Sequence, residues 1–461
     1  MSYGLHRLST RTKLVAAALA FVMAGLSHAS GTQVGGGATL PSIGYAGSNA
    51  ASNLQLFGTG SNGISSGSLF GVYESQSGNS VSYCLTGSGA GKDVLAGATV
   101  SGVTYYVQNA CTKVSGVVDG FGAPAVSRTD LTQPNFAAAD SPLAASDYTN
   151  YQTTYGTSAH PTQFPAVAGA VAIAFNLTDS LGNEVTSSEA NFTDAQVCDI
   201  FSGDVTTWNQ VSSAFTLTDG GSIPNQPINV QFRSDGSGTT FSLSNHLANV
   251  CGTINSHVFE TNQAFSSVVA NFEPTLPSNW TGSSGNAAVA SAVASTADSI
   301  GYVETANALA TSPGLQFADV NGKSPTANFG GPLTITSADL VYNEVISSTN
   351  NTNGTAALTA ISNAPSTQCI ALVPPADYAI PGSRGGIVPS TSYPIVAVSY
   401  LLGNAQGNGT DLAATRGLLE APYNSTITGS VTTIGSGTGL AFLTLGSGAF
   451  TEADVGACLA N

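Results

Sequence analysis

Arg233, Ser234, Asp235, Gly236, Ser237, Gly238, Thr239 and Thr240 stand consecutively ahead of Phe241. One lone guanidinium, several hydroxyls and two glycines just before an apolar-periodic helix suit the holding of an oxyanion. Glycine lets backbone approach a ligand, and a helix start presents unpaired N–H groups with a partial positive charge behind them. Arg233 adds a planar fork that matches a tetrahedral anion, and Asp235, two residues on, is placed to orient that fork. The same order also serves as a helix cap with a glycine turn, so the loop alone does not decide between the two.

Two further stretches share this chemistry. GGGATLP at 35–41 opens with glycines and puts Thr39 at the start of a helix whose first turn takes Pro41. TGSGAG at 86–91 carries Ser88 and precedes Lys92, Asp93, Val94 and Leu95, read as the first turn of another helix. With 53 glycines in 461 residues each run is weak alone. Three such starts, each carrying Ser or Thr, are stronger together.

The elements that must position these loops read as α/β, with short apolar runs alternating with amphipathic segments. Residues 167–175 (VAGAVAIAF) form a buried strand, and 228–232 (INVQF) a strand that feeds the Arg233 loop. Strand, glycine-rich loop, helix is the order an anion site uses. A helical stripe follows over 239–251. Residues 192–211 give a short helix capped by Thr193 or Asp194 and ended by Gly203, then a turn that packs Trp208. His246 reads as a packed or surface histidine, and 347–355 (SSTNNTNGT) as a surface loop.

Charge limits the partners. Only ten Lys and Arg occur, three of them (Arg7, Arg11, Lys13) in an N-terminal leader; the rest face 26 carboxylates, a formal −19. Nucleic-acid binding needs a basic stripe that this chain does not have. A small anion can still bind, because amide dipoles and one arginine act at contact distance while the global field is screened beyond about 8 Å. The leader itself has a basic start, an apolar run at 14–26 and Ser27-His28-Ala29, so residues 1–29 are expected to be a signal peptide and the remainder to be exported, to the periplasm or beyond the cell, without a membrane anchor. Six cysteines with no CxxC pair agree with export, and three disulfides follow; of the many possible pairings, Cys84 with Cys111, Cys198 with Cys251 and Cys369 with Cys458 is expected. Metal ligation is disfavoured, since His160, His246 and His257 are not spaced as ligands, and no cofactor is expected.

In these residues the chain resembles the periplasmic phosphate-binding proteins of phosphate ABC transporters, and within them the secreted DING-type branch. The resemblance rests on GGGATLP at 35–41, TGSGAG at 86–91, AVAIAFN at 170–176, VCDIFSGDVTTWNQV at 197–211, FRSDGSGTTF at 232–241 and SIGYVE at 299–304, with a weaker match at 393–395. It implies an α/β, two-lobed fold of the periplasmic-binding-protein type (type II) with a hinge between lobes: one lobe over 30–176 plus 396–461, the other over 177–395. It further implies a monomer that takes inorganic phosphate and meets an ABC transporter permease. Carried residue by residue, Thr39, the Leu40 amide, Ser88, Arg233, Ser237, Gly238 and Thr239 are the implied ligand contacts, and Asp235 the residue that orients the arginine.

The family also places an aspartate after a Phe-Gly-Ala segment to accept the proton of hydrogen phosphate. Here Phe121-Gly122-Ala123 is followed by Pro124, and strict alignment puts Ala125 where the acid belongs. Asp130 fills the role if the loop carries extra residues; otherwise Ser127 or Arg128 takes the place, or Asp130 merely caps a helix before Leu131. The acid matters because hydrogen phosphate has a proton to donate and sulfate has none. Two other functions stay open: a binding protein for another tetrahedral oxyanion such as sulfate, and a secreted DING-like phosphatase with Ser237 or Thr239 as nucleophile.

Overall fold

The computed structural model describes residues 31–114, 116–311, 314–365, 368–383 and 386–461; the expected signal peptide lies outside them. One long strand organises the molecule. The first lobe carries β1 (Gln33–Gly36), β2 (Gln55–Phe57) and β3 (Val81–Cys84) in a three-stranded sheet of their own, and β4 (Ala137–Ala139), while strand β5 (Pro161–Asn176) runs through the large sheet that reaches into the second lobe. Its sequence does not alternate: residues 166–175 are only Ala, Gly, Val, Ile and Phe, which suits a strand covered on both faces. Fifteen of its sixteen residues are buried.

The two halves of β5 serve different lobes. Its N-terminal part pairs antiparallel with Val396–Asn404 from the C-terminal region, which in turn pairs with β4. Its C-terminal part pairs antiparallel with Ser299–Glu304 and Gln316–Val320. Strand Asn229–Arg233, here β6, lies parallel to both Trp280–Ser283 (β7) and Ser299–Glu304 (β8). In the first lobe β1 and β3 run parallel, with β2 antiparallel at the edge of β3. The mixed sheets with flanking helices make the expected α/β, two-lobed fold.

The helices that matter start at the sheet ends. These are α1 (Ser42–Ala46), α2 (Ser88–Ala96), α3 (Asp194–Ser202), α4 (Gly238–Val250) and α5 (Asn286–Ser295), followed by α6 (Thr305–Ala310). Thr193 caps α3 by accepting from the Gln196 amide, and Gly203 ends it in the left-handed region. Helix α2 begins at Ser88, earlier than the Lys92 turn expected, so the glycine run is its first turn rather than a loop before it. The reason lies in the packing: a Cβ on Gly91 would stand 2.5 Å from the Gly37 Cα, so only glycine lets this turn sit against the opening loop.

The three disulfides are Cys84–Cys111, Cys198–Cys251 and Cys369–Cys458. The second ties α3 to the end of α4, while the third ties residue 369 of the stretch assigned to the second lobe to the C-terminus. Leu333–Ile335 likewise pairs with Leu440–Leu445, and Gln163 bridges Ile370. Trp208 is fully buried against Phe215. The 347–355 loop joins two short strands, Glu344–Ile346 and Leu358–Ala360, and reaches across: the Ile346 amide donates to the Leu143 carbonyl, and Asn350 donates to Glu260 and to the Thr261 carbonyl.

Candidate functional site

Strand β6 delivers Arg233 into the interior, with 1% of its surface exposed. Its Nε donates to Asp235 Oδ1 at 2.7 Å, its Nη2 to Asp235 Oδ2, and its Nη1 to Thr239 Oγ1 at 3.1 Å. Asp235 also accepts the Gly285 amide at 3.0 Å. Burial pushes the Asp235 carboxyl up, but the guanidinium outweighs it and holds the group below the usual carboxylate range. A charged fork is thereby fixed in orientation. Ser237 caps α4, its Oγ accepting the Thr240 amide at 3.0 Å, so the Gly238 and Thr239 amides occupy the first-turn positions that have no partner within a helix.

The other lobe presents two glycine turns. Gly37 has φ +124°, and a Cβ there would stand 2.0 Å from the Ala138 carbonyl oxygen, so the chain turns over the end of β4 only because residue 37 is glycine. The next residues are Thr39 and Leu40, both buried. Ser88, at the start of α2, accepts the Asp140 amide at 2.9 Å and lies 3.3 Å from Asp140 Oδ2.

Asp140 is the acid of this cluster. It follows β4 directly and is 1% exposed. Burial raises its carboxyl from 3.8 to about 7, against the opposing pull of Ser399, Arg233, Ser88 and the Leu40 amide. Its Oδ1 is buried and receives no hydrogen bond of good geometry among the described residues, although the Ser399 hydroxyl and the Leu40 amide lie near enough to favour the charged form. An orphaned acceptor inside a cluster of donors is unfavourable unless something donates to it.

The lobes meet around these groups. The Gly89 amide donates to the Gly236 carbonyl at 2.8 Å. A Cβ on Gly238 would lie 2.4 Å from the Asp140 Cβ and 2.6 Å from Ser88 Oγ, and one on Gly87 2.4 Å from Asp235 Oδ2. Glycine at these positions is what allows closure. Asn286 spans the joint, its Nδ2 donating to Thr39 Oγ1 at 3.1 Å and to Thr239 Oγ1 at 2.9 Å. Asn286 is held in turn by the Glu304 amide, which donates to its Oδ1. The Glu304 carboxylate caps α6 through the Ala306 and Asn307 amides, and burial raises it to about 8. Asn307 donates to the Thr39 and Leu40 carbonyls, which fixes the turn that aims the neighbouring amides.

Cavities flank the joint. One of about 230 Å³ is lined by Thr39, Ser42, Lys113, Gly285, Asn286 and Asn307, and Lys113 Nζ donates across it to the Ser284 carbonyl at 3.1 Å. Another of about 560 Å³ is lined by Lys92, Ser141, Phe241 and Gln263, among others, and there Gln263 Nε2 donates to Ser141 Oγ at 2.6 Å.

Thr39, Leu40, Ser88, Arg233, Ser237, Gly238, Thr239 and Asp235 thus come together at one joint. Asp130 does not join them. It is bound to Arg128, whose Nε and Nη2 donate to its two oxygens at 2.9 Å each, and 65% of its side chain is exposed. Nor does Asp130 cap a helix, since the residues after it are turns and bends. Arg128 is equally remote from the joint: it donates to the Thr32 carbonyl and to Asp411. Ser127 sits at φ +61° at the end of a short 3-10 turn. The loop after Phe121 therefore belongs to the wall of the first lobe, and the acid that reaches the joint is Asp140, directly after β4. Asp140, Asn286, Glu304, Asn307 and Gln263 were all missed as site residues. The one signal for Asp140 was an acid directly after three alanines; Glu304 ends the SIGYVE motif but reads there as strand.

Among the described residues no group of three His, Cys, Asp or Glu side chains is placed to hold a metal. His246 is buried on α4, bonded to the Ala379 carbonyl and to Asp194, and faces neither Ser237 nor Thr239. Tyr302 donates or accepts with Thr240 Oγ1 at 2.7 Å and accepts the Arg233 amide, completing the second lobe's contribution.

Two lobes share one strand, and a buried cluster of oxyanion-type donors lies where they meet. The comparisons agree with that architecture. A family model described as a PBP superfamily domain matches residues 46–402, and the chain belongs to this superfamily. Among curated proteins, the chain is 35% identical over 193 residues to the alkaline phosphatase L of Pseudomonas aeruginosa (42% of this chain, 47% of that one). It is 28% identical over 237 residues to the phosphate-binding protein PstS of Pasteurella multocida (51% and 52%). The chain spans about half the length of these curated relatives. Two solved structures share the fold: the high-affinity periplasmic phosphate-binding protein PfluDING with phosphate bound, at TM-score 0.54 and 20% identity over 90% of this chain and 91% of that one, and the phosphate-binding protein of Stenotrophomonas maltophilia, at TM-score 0.52 and 23% identity over 86% and 84%.

Proposed function

We propose that this protein captures inorganic phosphate non-covalently between its lobes. The observation that carries the reading is the orphaned Asp140 Oδ1, a buried acceptor set among the Arg233 fork, the Ser88 hydroxyl and the first-turn amides of α4. Hydrogen phosphate satisfies both sides at once. Its oxygens take the donors, and its own O–H donates to Asp140. Sulfate offers the same oxygens but no proton, so it faces the carboxylate acceptor to acceptor. The names of the relatives support the same ligand: PstS and the PfluDING structure are described as phosphate-binding.

The lobes part at 176 and 395 in this reading, where β5 ends and Val396–Asn404 begins, so that opening turns on those two crossings. The protein acts as a monomer outside the cytoplasm and delivers phosphate to an ABC permease; no helix among the described residues is long and apolar enough to cross a membrane. A second reading, phosphate-ester hydrolysis, has one observation in its favour: the Pseudomonas relative is named a phosphatase.

Calorimetry on phosphate-stripped protein, with phosphate and sulfate titrated separately, tests the first reading. Tight phosphate binding with sulfate weaker by at least about a hundredfold is expected, since one repelled buried acceptor amounts to about 3 kcal/mol or more. Equal binding of both anions would remove the role of Asp140. Turnover of p-nitrophenyl phosphate that persists through purification and vanishes in Ser237→Ala would favour the enzyme.

A further inference from the structure

Asn286, the first residue of α5, is fully buried and touches both lobes through two threonines. Which way its amide faces is settled by the backbone: the Glu304 N–H, at the end of β8, donates to Oδ1 at 2.9 Å, and only an oxygen can accept there. The Nδ2 side therefore points at the joint. Its two hydrogens go to Thr39 Oγ1 of the first lobe at 3.1 Å and to Thr239 Oγ1 of the second at 2.9 Å.

A hydroxyl has one hydrogen to give and two lone pairs to fill. Thr239 Oγ1 accepts from Asn286 Nδ2 and, at 3.1 Å, from Arg233 Nη1, so both of its lone pairs are engaged. Thr39 Oγ1 accepts from Asn286 Nδ2 and, at 3.3 Å, from the Asn286 backbone N–H. Each hydroxyl is left with its hydrogen alone, and neither hydrogen has an acceptor among the described residues. Both threonines are buried. Two buried donors, one from each lobe, thus lack the acceptor that an anion between the lobes would supply.

Given a phosphate site between the lobes, on which this rests, we infer that Asn286 is a positioning residue that sets the polarity of that site. By filling the acceptor capacity of Thr39 and Thr239 it forces one hydroxyl of each lobe to donate to the bound anion. Donation into an oxygen also strengthens the hydrogen bond that oxygen gives, because hydrogen bonds in a chain polarise one another. Thr239 Oγ1, with no lone pair left, is at the same time unfit to attack phosphorus. Gly285, just ahead of Asn286, gives its amide to Asp235 Oδ1, so one turn serves both the arginine fork and the threonine pair.

A double-mutant cycle between Asn286→Asp and Thr39→Val, read as phosphate affinity in a calorimeter on the stripped mature protein, tests this role. Aspartate keeps the shape and the acceptor for the Glu304 amide, but it presents an acceptor where Nδ2 donated, so the Thr39 hydroxyl turns toward it and away from the anion. Thr39→Val is expected to cost about tenfold in the otherwise wild-type protein and no more than about twofold beside Asn286→Asp. The added charge is common to both members of the second pair and cancels. Asn286→Ala, which adds no charge, is expected to bind phosphate about tenfold more weakly. It should also move the phosphorus NMR resonance of the bound anion, which a residue acting only through packing would leave in place. An equal cost of Thr39→Val in both backgrounds, or an unmoved phosphorus resonance in Asn286→Ala, would overturn the role of Asn286 while phosphate binding by the wild type stands. Absence of phosphate binding by the wild type would overturn the phosphate reading and this role with it.

Discussion

The chain contains the same local device twice. Arg128 and Asp130 form a two-bond fork with the same two-residue spacing as Arg233 and Asp235, with Nε on one carboxylate oxygen and Nη2 on the other. Their surroundings differ. Arg128 spends its remaining donors on the Thr32 carbonyl and on Asp411, so it is consumed by the fold, tying the start of the described chain to the turn before residues 412–420. Arg233 gives one further hydrogen to a threonine hydroxyl at a helix start and keeps two of its five N–H groups uncommitted among the described residues, and across from it stand Ser88 and an acid with an unsatisfied oxygen. An arginine and an aspartate two residues on make a rigid cation. The neighbours decide whether that cation braces or binds.

The sharpest way to break the comparison is to remove each arginine. Arg233→Ala should lose at least about a hundredfold in phosphate affinity, because charge-assisted hydrogen bonds of about 1.5–3 kcal/mol each are lost and Asp235 is left buried without its partner. Arg128→Ala should leave affinity within about twofold, yet lower stability by about 3 kcal/mol, since Asp411 stays buried and uncompensated. Calorimetry and denaturant melts read the two effects. A drop in affinity for Arg128→Ala would show that the two forks are not separate in function.

The acids of the binding joint sharpen it further through pH. Burial raises Asp140 to about 7 and Glu304 to about 8, from 3.8 and 4.5. Between those limits the folded, ligand-free protein holds protons that the unfolded chain has already released. Stability is therefore greatest at the acid end of the window and falls as pH rises from about 4 to about 8. Asp130 behaves oppositely: the Arg128 hydrogen bond lowers its carboxyl, so its small contribution is lost only in stronger acid. Asp140→Asn should flatten the fall between about pH 4 and 7 and melt above the ligand-free wild type at pH 8. A variant less stable than wild type at pH 8 would mean that Asp140 is satisfied by the protein itself.

A smaller effect is expected at the flank of the cleft. Lys113 bridges to the Ser284 carbonyl from an exposed position, and such contacts contribute about 0.2–1 kcal/mol. Lys113→Ala should speed phosphate release by about two- to fivefold in a stopped-flow displacement assay, with the association rate in high salt unchanged. No change in release would mean that the bridge does not help keep the lobes shut.

Much of this architecture was legible from residue order. The strand that feeds Arg233, the glycines that admit close backbone approach and the hydroxyls at three helix starts all depend on local rules, and the structure places those starts on one joint. Asp140 was not legible, because what makes it an acid of the site is burial under Gly238 and contact with Ser88, 52 residues away in sequence. Asp130 drew attention through its position after Phe-Gly-Ala; the Arg128 fork beside it, a purely local pair, accounts for it. Asn286 and Asn307 were invisible for the same reason as Asp140: an asparagine has no pattern in sequence until its partner, here the Thr39 turn, is brought across from the other lobe.

Capture of a protonated anion by Asp140 is tested most directly by titrating phosphate and sulfate, at pH 8, into stripped wild-type protein and into Asp140→Asn. The wild type should bind phosphate and reject sulfate, and the variant should lose phosphate affinity by about tenfold or more while gaining sulfate, because an amide can donate where the carboxylate could only accept. A variant that keeps the wild-type preference for phosphate over sulfate would contradict the assignment of the orphaned oxygen to the ligand's proton.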